Sequence, residues 1–177
     1  ASQRRWVIST SIQESKMNLE DIARRLQTLE DIEAIKSLQY RYIYYLLENR
    51  WQDMADCFTE DAYANIWRHG GHQGREAILK LFTERIAAVN PPGSRRHAHC
   101  TVRPDISVDG DPARGQWMLY IFTDPDTPAA AHYQQGRYDC EYTRVNGQWK
   151  FSKLVWTNPW PLTPESLPRP EDWQQQE

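Results

Sequence analysis

The spacing of apolar residues changes once along this chain, near residue 96, and this change limits the folds that are open to it. In the first half they recur every three or four positions, as Leu19, Ile22 and Leu26 do, which is the period of an α-helix. In the second half they alternate, as in β-strands, over four segments: 97–107, 113–122, 132–145 and 149–158. Helices followed by consecutive strands predict an α+β fold, with three helices packed over a curved, mostly antiparallel sheet.

The three predicted helices precede that change. The first begins after Asn18, a good N-cap residue, and runs to about Leu47 as one long helix or as a broken pair. The second covers 51–58 and the third 75–89, with a short strand over 63–68 between them. The first half of the first helix has a narrow apolar seam with charged flanks, so it packs either on a second subunit or on its own domain.

Turns and chain ends divide the 177 residues into one domain with two appendages. Asn146-Gly147 is a strong hairpin signal between the last two strands. We expect residues 1–16 to be a flexible N-terminal extension, 17–161 to be the domain, and 162–177 to be a proline-rich tail. Neither end has a periodic apolar pattern, so we expect both ends to be dispensable for folding of the domain.

Charge and composition exclude several classes of protein. A formal net charge of −3 provides no basic surface for a phosphate backbone, so we expect no nucleic-acid partner. No apolar run approaches the roughly 18 residues of a membrane helix, and the N-terminal stretch has too few consecutive apolar residues for a signal peptide. We therefore expect a cytoplasmic protein without a membrane partner.

The sequence also predicts that the protein works without a cofactor or a metal ion. Cys57, Cys100 and Cys140 lack the close spacing of a zinc site or a CxxC redox motif, so we expect three buried thiols. His69 and His72 flank a Gly-Gly turn, which is a poor frame for metal ligands. The chain has no Walker loop, no dinucleotide-binding fingerprint and no Gly-x-Ser-x-Gly elbow.

Aromatic residues are unusually frequent, with eight Trp, nine Tyr and four Phe. So many wide, planar rings cannot all fill a core without voids, and we expect some of them to line an apolar small-molecule pocket. An aromatic core and subunit interface is the alternative. An exposed aromatic sheet face also predicts a homodimer or homotrimer. The candidate pocket residues are Tyr44, Tyr63, Trp67, Phe82, Trp117, Tyr120, Tyr138, Trp156 and Trp160.

Several strings of the chain are similar, in order and spacing, to those of one family. DIEAIK at 31–36 opens the pocket helix, His99 stands five residues before Pro104, and NGQWKF at 146–151 crosses the last hairpin. Over roughly 18–161 the chain resembles the SnoaL-like branch of the nuclear-transport-factor-2-like (NTF2-like) superfamily, near its bile-acid and scytalone dehydratases and its dehydrochlorinase. The resemblance implies a cone-shaped α+β barrel. Because the superfamily also contains binding and assembly domains, the activity stays open.

The histidines of the first long strand are the leading candidates for catalysis. His97 and His99 are two residues apart and therefore share a face with Thr101 and Arg103. The dehydratases and the dehydrochlorinase that the chain resembles keep a catalytic histidine where His99 falls. An imidazole suits proton removal from carbon or from an alcohol near neutral pH. The alternative is that His99 is a hydrogen-bonded core residue and that His97 lies at the solvent end of the strand.

The same resemblance implies a role for Tyr42 and reveals one departure from the family. Bile-acid dehydratases place a Tyr where Tyr42 falls on the pocket helix, and a buried phenol can hold a developing oxyanion. The carboxylate that usually assists the catalytic histidine falls at Leu47 in this chain, and the adjacent Glu48 is rotated by about 100° on a helix. Another strand offers a substitute only if Asp139 and Glu141 face inward.

Two functions remain open on the sequence. The first is a cofactor-independent lyase or isomerase that eliminates water or formaldehyde from a small aromatic or polycyclic substrate, or moves a proton within it. His99 would be the general base, and Tyr42 and Arg103 would hold a substrate oxygen. The second is a non-catalytic small-molecule-binding or assembly domain that uses the same cavity or sheet face. The residues expected to contact the substrate are Glu48, Trp67, His97, Trp117, Tyr120, Tyr138 and Trp156.

Overall fold

The first element of the fold is one long helix. The structure is a computed structural model of the chain. It describes residues 18–66, 69–89, 96–124 and 132–158. Helix α1 is continuous over Leu19–Leu47, so of the two predicted possibilities the unbroken helix is confirmed. Asn18 caps α1, because its side-chain oxygen accepts a hydrogen bond of 2.7 Å from the backbone nitrogen of Asp21. No helix within the described ranges is both long and apolar enough to cross a membrane.

The second helix is shorter than the sequence indicates, because a strand begins sooner. α2 covers Trp51–Ala55 and β1 covers Phe58–Ile66, so the predicted helix end at 58 and strand start at 63 were both wrong. Phe58 pairs with Phe151 of a neighbouring strand and is fully buried. The Phe151 amide also donates to the Cys57 carbonyl at 2.9 Å. Pairing with a buried strand therefore outweighs the local helical pattern.

A short strand lies where the sequence suggests only a turn. β2, Gly71–Gln73, pairs antiparallel with β1. The third helix, α3, has an α-helical stretch Arg75–Lys80, a π-helical stretch Leu81–Ile86 and a last turn Ala87–Val89. The most deeply buried side chains of α3 are Ile78, Leu81 and Phe82. The length of α3 agrees with the predicted helix over 75–89.

Four long strands complete a six-stranded sheet: β3 Arg96–Ser107, β4 Ala113–Asp124, β5 His132–Val145 and β6 Gln148–Thr157. The strand order is β2-β1-β6-β5-β4-β3, and neighbours are antiparallel except for β1 and β6. The predicted α+β class, with helices over a curved, mostly antiparallel sheet, is therefore confirmed. The sheet is open, with β2 and β3 at its edges, rather than closed into a complete barrel.

The side chains of β5 show which face of the sheet is covered by the helices. The buried set is Tyr138, Cys140 and Tyr142, and the face that carries it is called the inner face below. Asp139 and Glu141 lie on the opposite, outer face, where Asp139 pairs with Arg137 at 2.9 Å and Glu141 pairs with Lys153 at 3.3 Å. Neither carboxylate is therefore placed to substitute for the one that the family has at Leu47.

A buried carboxylate ties α1 to the hairpin between β5 and β6. Asp31 Oδ1 accepts hydrogen bonds from the Arg144 guanidinium and from Trp149 Nε1, the latter at 3.2 Å. The Arg144 guanidinium also lies 4.7 Å from the centre of the Trp149 ring. Asn146 and Gly147, with φ of 51° and 78°, form the predicted turn of this hairpin. These contacts hold α1 over the sheet, so that its buried stripe meets the inner face.

Candidate functional site

The buried stripe of α1 forms one wall of the candidate site. It comprises Ile35, Leu38, Gln39, Tyr42 and Ile43, together with Asp31 near the start of the stripe. The Tyr42 ring is enclosed by other rings, with its centroid 5.4 Å from that of Phe151 and 6.3 Å from that of Tyr138, both close to edge-on. Packing of this kind favours one ring orientation. The Tyr42 hydroxyl is therefore a fixed group of the inner face.

Tyr42 and Tyr138 form a polar pair within this apolar setting. The two phenols are hydrogen-bonded to each other. Burial is the main reason why the pKa of each phenol is raised well above its usual value. Both hydroxyls therefore keep their protons at neutral pH and act as hydrogen-bond donors rather than as bases.

Trp117, Tyr142 and Cys140 form a second hydrogen-bonded chain on the inner face. Trp117 Nε1 donates to the Tyr142 hydroxyl at 2.9 Å, and that hydroxyl is hydrogen-bonded to the Cys140 thiol. Burial raises the pKa of Cys140 to about 12, so the thiol is protonated at neutral pH. Trp117, a predicted substrate contact, thus engages its N–H group inside the core.

His99 lies on the inner face of the edge strand β3. It pairs with Ile121, and Thr101 pairs with Leu119. Both partners are buried, which fixes the side of the sheet on which His99 and Thr101 lie. His99 is half-buried, and its Nδ1 atom is shielded from solvent. The imidazole is therefore partly accessible while one of its nitrogens is enclosed. The side chain of His97 lies outside the described part of the structure.

Gly136 and Trp156 shape the inner face beside the phenol pair. Gly136 pairs with the buried Leu119 of β4, and Trp156 pairs with Tyr138. A β-carbon at position 136 would overlap the Trp156 indole nitrogen, so the missing side chain lets the indole lie against β5. The Trp156 Nε1 atom is also buried. Two predicted substrate contacts, Tyr138 and Trp156, are thus neighbours on the inner face.

Replacing Gly136 with Ala is expected to displace the Trp156 indole, because the new methyl group would occupy part of its space. Overpacking of this kind costs about 1–3 kcal/mol. Urea unfolding measures the lost stability. In a Trp156→Leu background the same Gly136→Ala change should cost much less. An equal cost in the two backgrounds would contradict the contact.

Two predicted site residues on the sheet lie apart from this arrangement. Arg103 has a φ of 52° in a segment where the β3–β4 register shifts, and its side chain is exposed. The expectation that Arg103 shares the face of His99 assumed an unbroken alternation, and the bulge breaks that alternation. Tyr120 lies on the outer face, since its neighbours Leu119 and Ile121 are the inner, buried residues. It therefore does not line the same surface as Tyr138.

The predicted contacts at the end of α1 are also separate from the inner face. Glu48 is the C-terminal cap of α1, is exposed, and pairs with Arg50 at 3.3 Å. Tyr44, a candidate pocket residue, is 64% exposed on α1. Trp67 and Trp160 lie outside the described residues. The end of α1 thus presents a charged and aromatic surface to solvent rather than a wall of the site.

Gln39 is a polar residue of the inner stripe that the sequence analysis did not include in the site. It lies four residues after Ile35 and three before Tyr42, and it is fully buried. The signal that could have found it is a glutamine at an apolar position of the helical pattern. Its carboxamide brings one acceptor and two N–H donors to a surface that otherwise carries phenols and apolar groups.

The thiols differ from the expectation at one position. Cys57 and Cys140 are buried, but Cys100 is exposed on the outer face of β3, which corrects the expectation of three buried thiols. Burial also raises the pKa of Cys57 to about 11. In the part of the chain that the structure describes, no group of three His, Cys, Asp or Glu side chains is arranged to hold a metal ion.

The fold and the site together define a class of protein. A long helix closes over the inner face of an open mixed sheet, and a histidine, two phenols and a carboxamide lie on the surfaces between them. The model of the SnoaL-like domain matches residues 27–155, which is most of the chain. The chain therefore belongs to the SnoaL-like domain family.

Solved structures share this fold at low sequence identity. A candidate scytalone dehydratase from Novosphingobium aromaticivorans is 23% identical, with a TM-score of 0.63 over 72% of this chain and 83% of that chain. An NTF2-like protein with a cystatin-like fold from the same organism is 20% identical, with a TM-score of 0.70 over 82% and 92%. A hexachlorocyclohexane dehydrochlorinase is 21% identical, with a TM-score of 0.66 over 82% and 98%. At these identities the likeness concerns the fold.

Proposed function

We propose that this protein is a cofactor-independent lyase or isomerase that acts on a small aromatic or polycyclic substrate at the inner face. The observation that carries the proposal is the position of His99, a partly accessible imidazole on the inner face with one ring nitrogen enclosed. The fold likeness to a dehydrochlorinase and to a candidate scytalone dehydratase supports an elimination or a proton shift. Such reactions need a base, an acid and a site that excludes water.

In the proposed mechanism His99 removes a proton from a substrate carbon. The electron pair of the broken C–H bond forms a double bond to the next carbon, and the leaving group departs with its own bonding pair. In an isomerisation the proton is instead returned at another carbon. One phenol of the Tyr42–Tyr138 pair donates to the other, and the remaining hydroxyl hydrogen of the pair can hold the substrate oxygen. Arg103, which is exposed at the bulge of β3, takes no part in this step.

A non-catalytic small-molecule-binding domain is the second candidate, and the positions of the carboxylates favour it. Leu47 replaces the carboxylate that supports the histidine in related enzymes, and Glu48 is held in an exposed ion pair. Asp139 and Glu141 face outward and pair with cations there. None of these four positions therefore supplies the carboxylate that would orient the imidazole ring and stabilise its protonated form.

The test of the proposed function compares turnover with binding for a panel of aromatic hydroxy and halogenated compounds, in the presence of a chelator. Loss of a proton or leaving group from one of them, abolished in His99→Ala while binding persists, supports the enzyme. Binding by the wild-type protein with no turnover of any compound in the panel supports the binding domain instead.

We also propose that copies of this chain associate through the outer face, as a homodimer or a homotrimer. Val102 and Phe122 are 40% and 49% exposed on that face. The register of β3 and β4 places Ala98 beside Phe122 and Cys100 beside Tyr120, which makes one apolar patch. Water-exposed patches of this kind are usually covered by a partner. A second copy offers the same patch, so the apolar surface of one copy can cover that of another.

Light scattering is expected to give a mass of two or three chains, against 20.9 kDa for one. Replacing Val102 and Phe122 with Lys should reduce it to the mass of a single chain, because two charges would be buried at the interface. Tyr44→Lys, at an exposed aromatic residue of α1, is the matched control and should leave the mass unchanged. A wild-type monomer at micromolar concentration would refute the association.

A further inference from the structure

The carboxamide of Gln39 is buried and has no hydrogen-bond partner among the described residues. Gln39 is 0% exposed, and within the described residues neither its Nε2 nor its Oε1 atom has a hydrogen-bond partner. Transfer of an amide from water to an apolar interior costs several kcal/mol when its hydrogen bonds are not replaced. Nearly all buried polar groups in folded proteins have a partner, and an exception calls for an explanation such as a bound molecule.

The other polar groups near this part of α1 are already engaged with one another. Tyr42, three residues further along the same stripe, is hydrogen-bonded to Tyr138. Trp117 Nε1 and the Tyr142 hydroxyl belong to the second hydrogen-bonded chain. The hydrogen bonds of these groups are made with one another, whereas the Gln39 amide can still make hydrogen bonds to a ligand. A molecule bound at the inner face would therefore meet Gln39 as an open hydrogen-bonding position.

The position of Gln39 on α1 places it beside the phenol pair. Gln39 and Tyr42 are three residues apart, which brings their side chains to one face of the helix. The next residue, Tyr40, has its ring centroid 6.2 Å from that of Trp117, so this turn of α1 lies against β4. The carboxamide is thus enclosed between a helix and the sheet surface that also carries Tyr138.

We propose that Gln39 is a ligand-binding residue that selects a hydroxyl group on an aromatic ligand. A hydroxyl can donate to the amide oxygen and accept from the amide N–H, and so it fits both functions of the carboxamide. Two aromatic rings, Tyr42 on the same stripe and Trp117 in contact with Tyr40, fit the ring that carries this hydroxyl. The inference rests on the proposed function, since it requires a small aromatic molecule at the inner face.

The test uses two probes of equal size, para-cresol and para-xylene, which differ by a hydroxyl in place of a methyl group. Calorimetry gives the ratio of their affinities for the wild-type protein and for Gln39→Leu. Because the difference in hydration of the free probes cancels in this comparison, the change in the ratio reports the amide alone. We expect Gln39→Leu to reduce the preference for para-cresol about tenfold, the value of one buried hydrogen bond.

Stability separates a ligand-binding role from a structural one. Without ligand, Gln39→Leu should leave Tm unchanged or raise it by up to about 5 °C, because an unpartnered buried amide is removed. Thr59→Val is the matched control: Thr59 Oγ1 is also buried without a partner among the described residues, so its loss should leave the affinity ratio unchanged. Gln39→Met provides a second variant of similar volume if Gln39→Leu fails to fold.

Two results would overturn the inference, and they bear differently on the proposed function. An affinity ratio that is the same in wild type and in the Gln39 variants, whatever their Tm, would show that the amide does not contact the hydroxyl, while the small-molecule site would stand. No binding of either probe by the wild-type protein would overturn the inference together with the proposed function. A lost preference for para-cresol at unchanged or higher Tm supports the assignment.

Discussion

His99→Ala is expected to lower turnover of an aromatic substrate by about 10²–10⁴-fold, the usual contribution of a positioned general base. The loss should fall on kcat more than on binding, because the imidazole moves a proton rather than anchoring the ring. Stability should change little, since His99 is only half-buried on an edge strand. Steady-state kinetics measures kcat and KM, and circular dichroism verifies that the variant is folded.

His72→Ala is the matched control for this experiment. His72 lies on β2, at the other edge of the sheet, where its Nε2 atom is 3.2 Å from the carbonyl oxygen of His69. It has no part in the proposed mechanism, so its loss should leave turnover unchanged. Tyr42→Phe, which removes the hydrogen bond to Tyr138, should give a smaller loss than His99→Ala. Full activity in His99→Ala, or a loss explained by unfolded protein, would remove the assignment of His99 as the base.

The parts of the fold that could be predicted are those with a strong local pattern. The helical spacing of α1 is supported by a capping residue, Asn18, whose hydrogen bond is present in the structure. Asn146 and Gly147 adopt the positive φ values that a tight hairpin turn needs. In both places the residues themselves restrict the backbone, so their structure depends little on distant contacts.

The parts that could not be predicted depend on residues far away in the sequence. Residues 59–61 lie between the predicted second helix and the predicted strand, yet they belong to β1, because Phe58 pairs with Phe151 and Gly74 N donates to Ala62 O at 2.7 Å. The bulge at Arg103 did have a local signal. Pro104 cannot donate a ladder hydrogen bond, and a proline inside a strand often marks such an irregularity.

The sequence could predict His99 and Tyr42 as candidate site residues, but it could not predict which residues they contact. The alternation of β3 placed His99 on a face, and only the pairing with Ile121 shows that this face is the inner one. Tyr138 could be expected near the site, but its hydrogen bond to Tyr42 joins residues 96 positions apart. Gln39 could not be predicted as a site residue, because the helical pattern does not show that its amide is buried.

Raising the pH is expected to unfold this protein over a narrow range above about pH 10. Five of the described groups contribute, and for each of them burial is the main cause of a raised pKa: Tyr42, Tyr138, Tyr142, Cys57 and Cys140. The unfolded chain releases these protons near the usual values, about 10 for Tyr and 8.5 for Cys, whereas the folded chain retains them. Their contribution to stability is therefore complete below those values and is lost as the pH rises above them. Each group ionised only in the unfolded state lowers stability by about 1.4 kcal/mol per pH unit.

Urea unfolding at a series of pH values from about 8 to 11, with a reductant present, measures this slope. Tyr138→Phe removes one buried phenol, so the slope should become shallower by about 1.4 kcal/mol per pH unit. Tyr44→Phe removes an exposed phenol and is the matched control, which should leave the slope as it is. A free energy of unfolding that stays constant to pH 11 would mean that the phenols ionise inside the folded protein. Tyr42 and Tyr138 would then have the ordinary pKa of a phenol and would still be protonated at neutral pH, so the measurement tests whether these phenols are buried in a closed core.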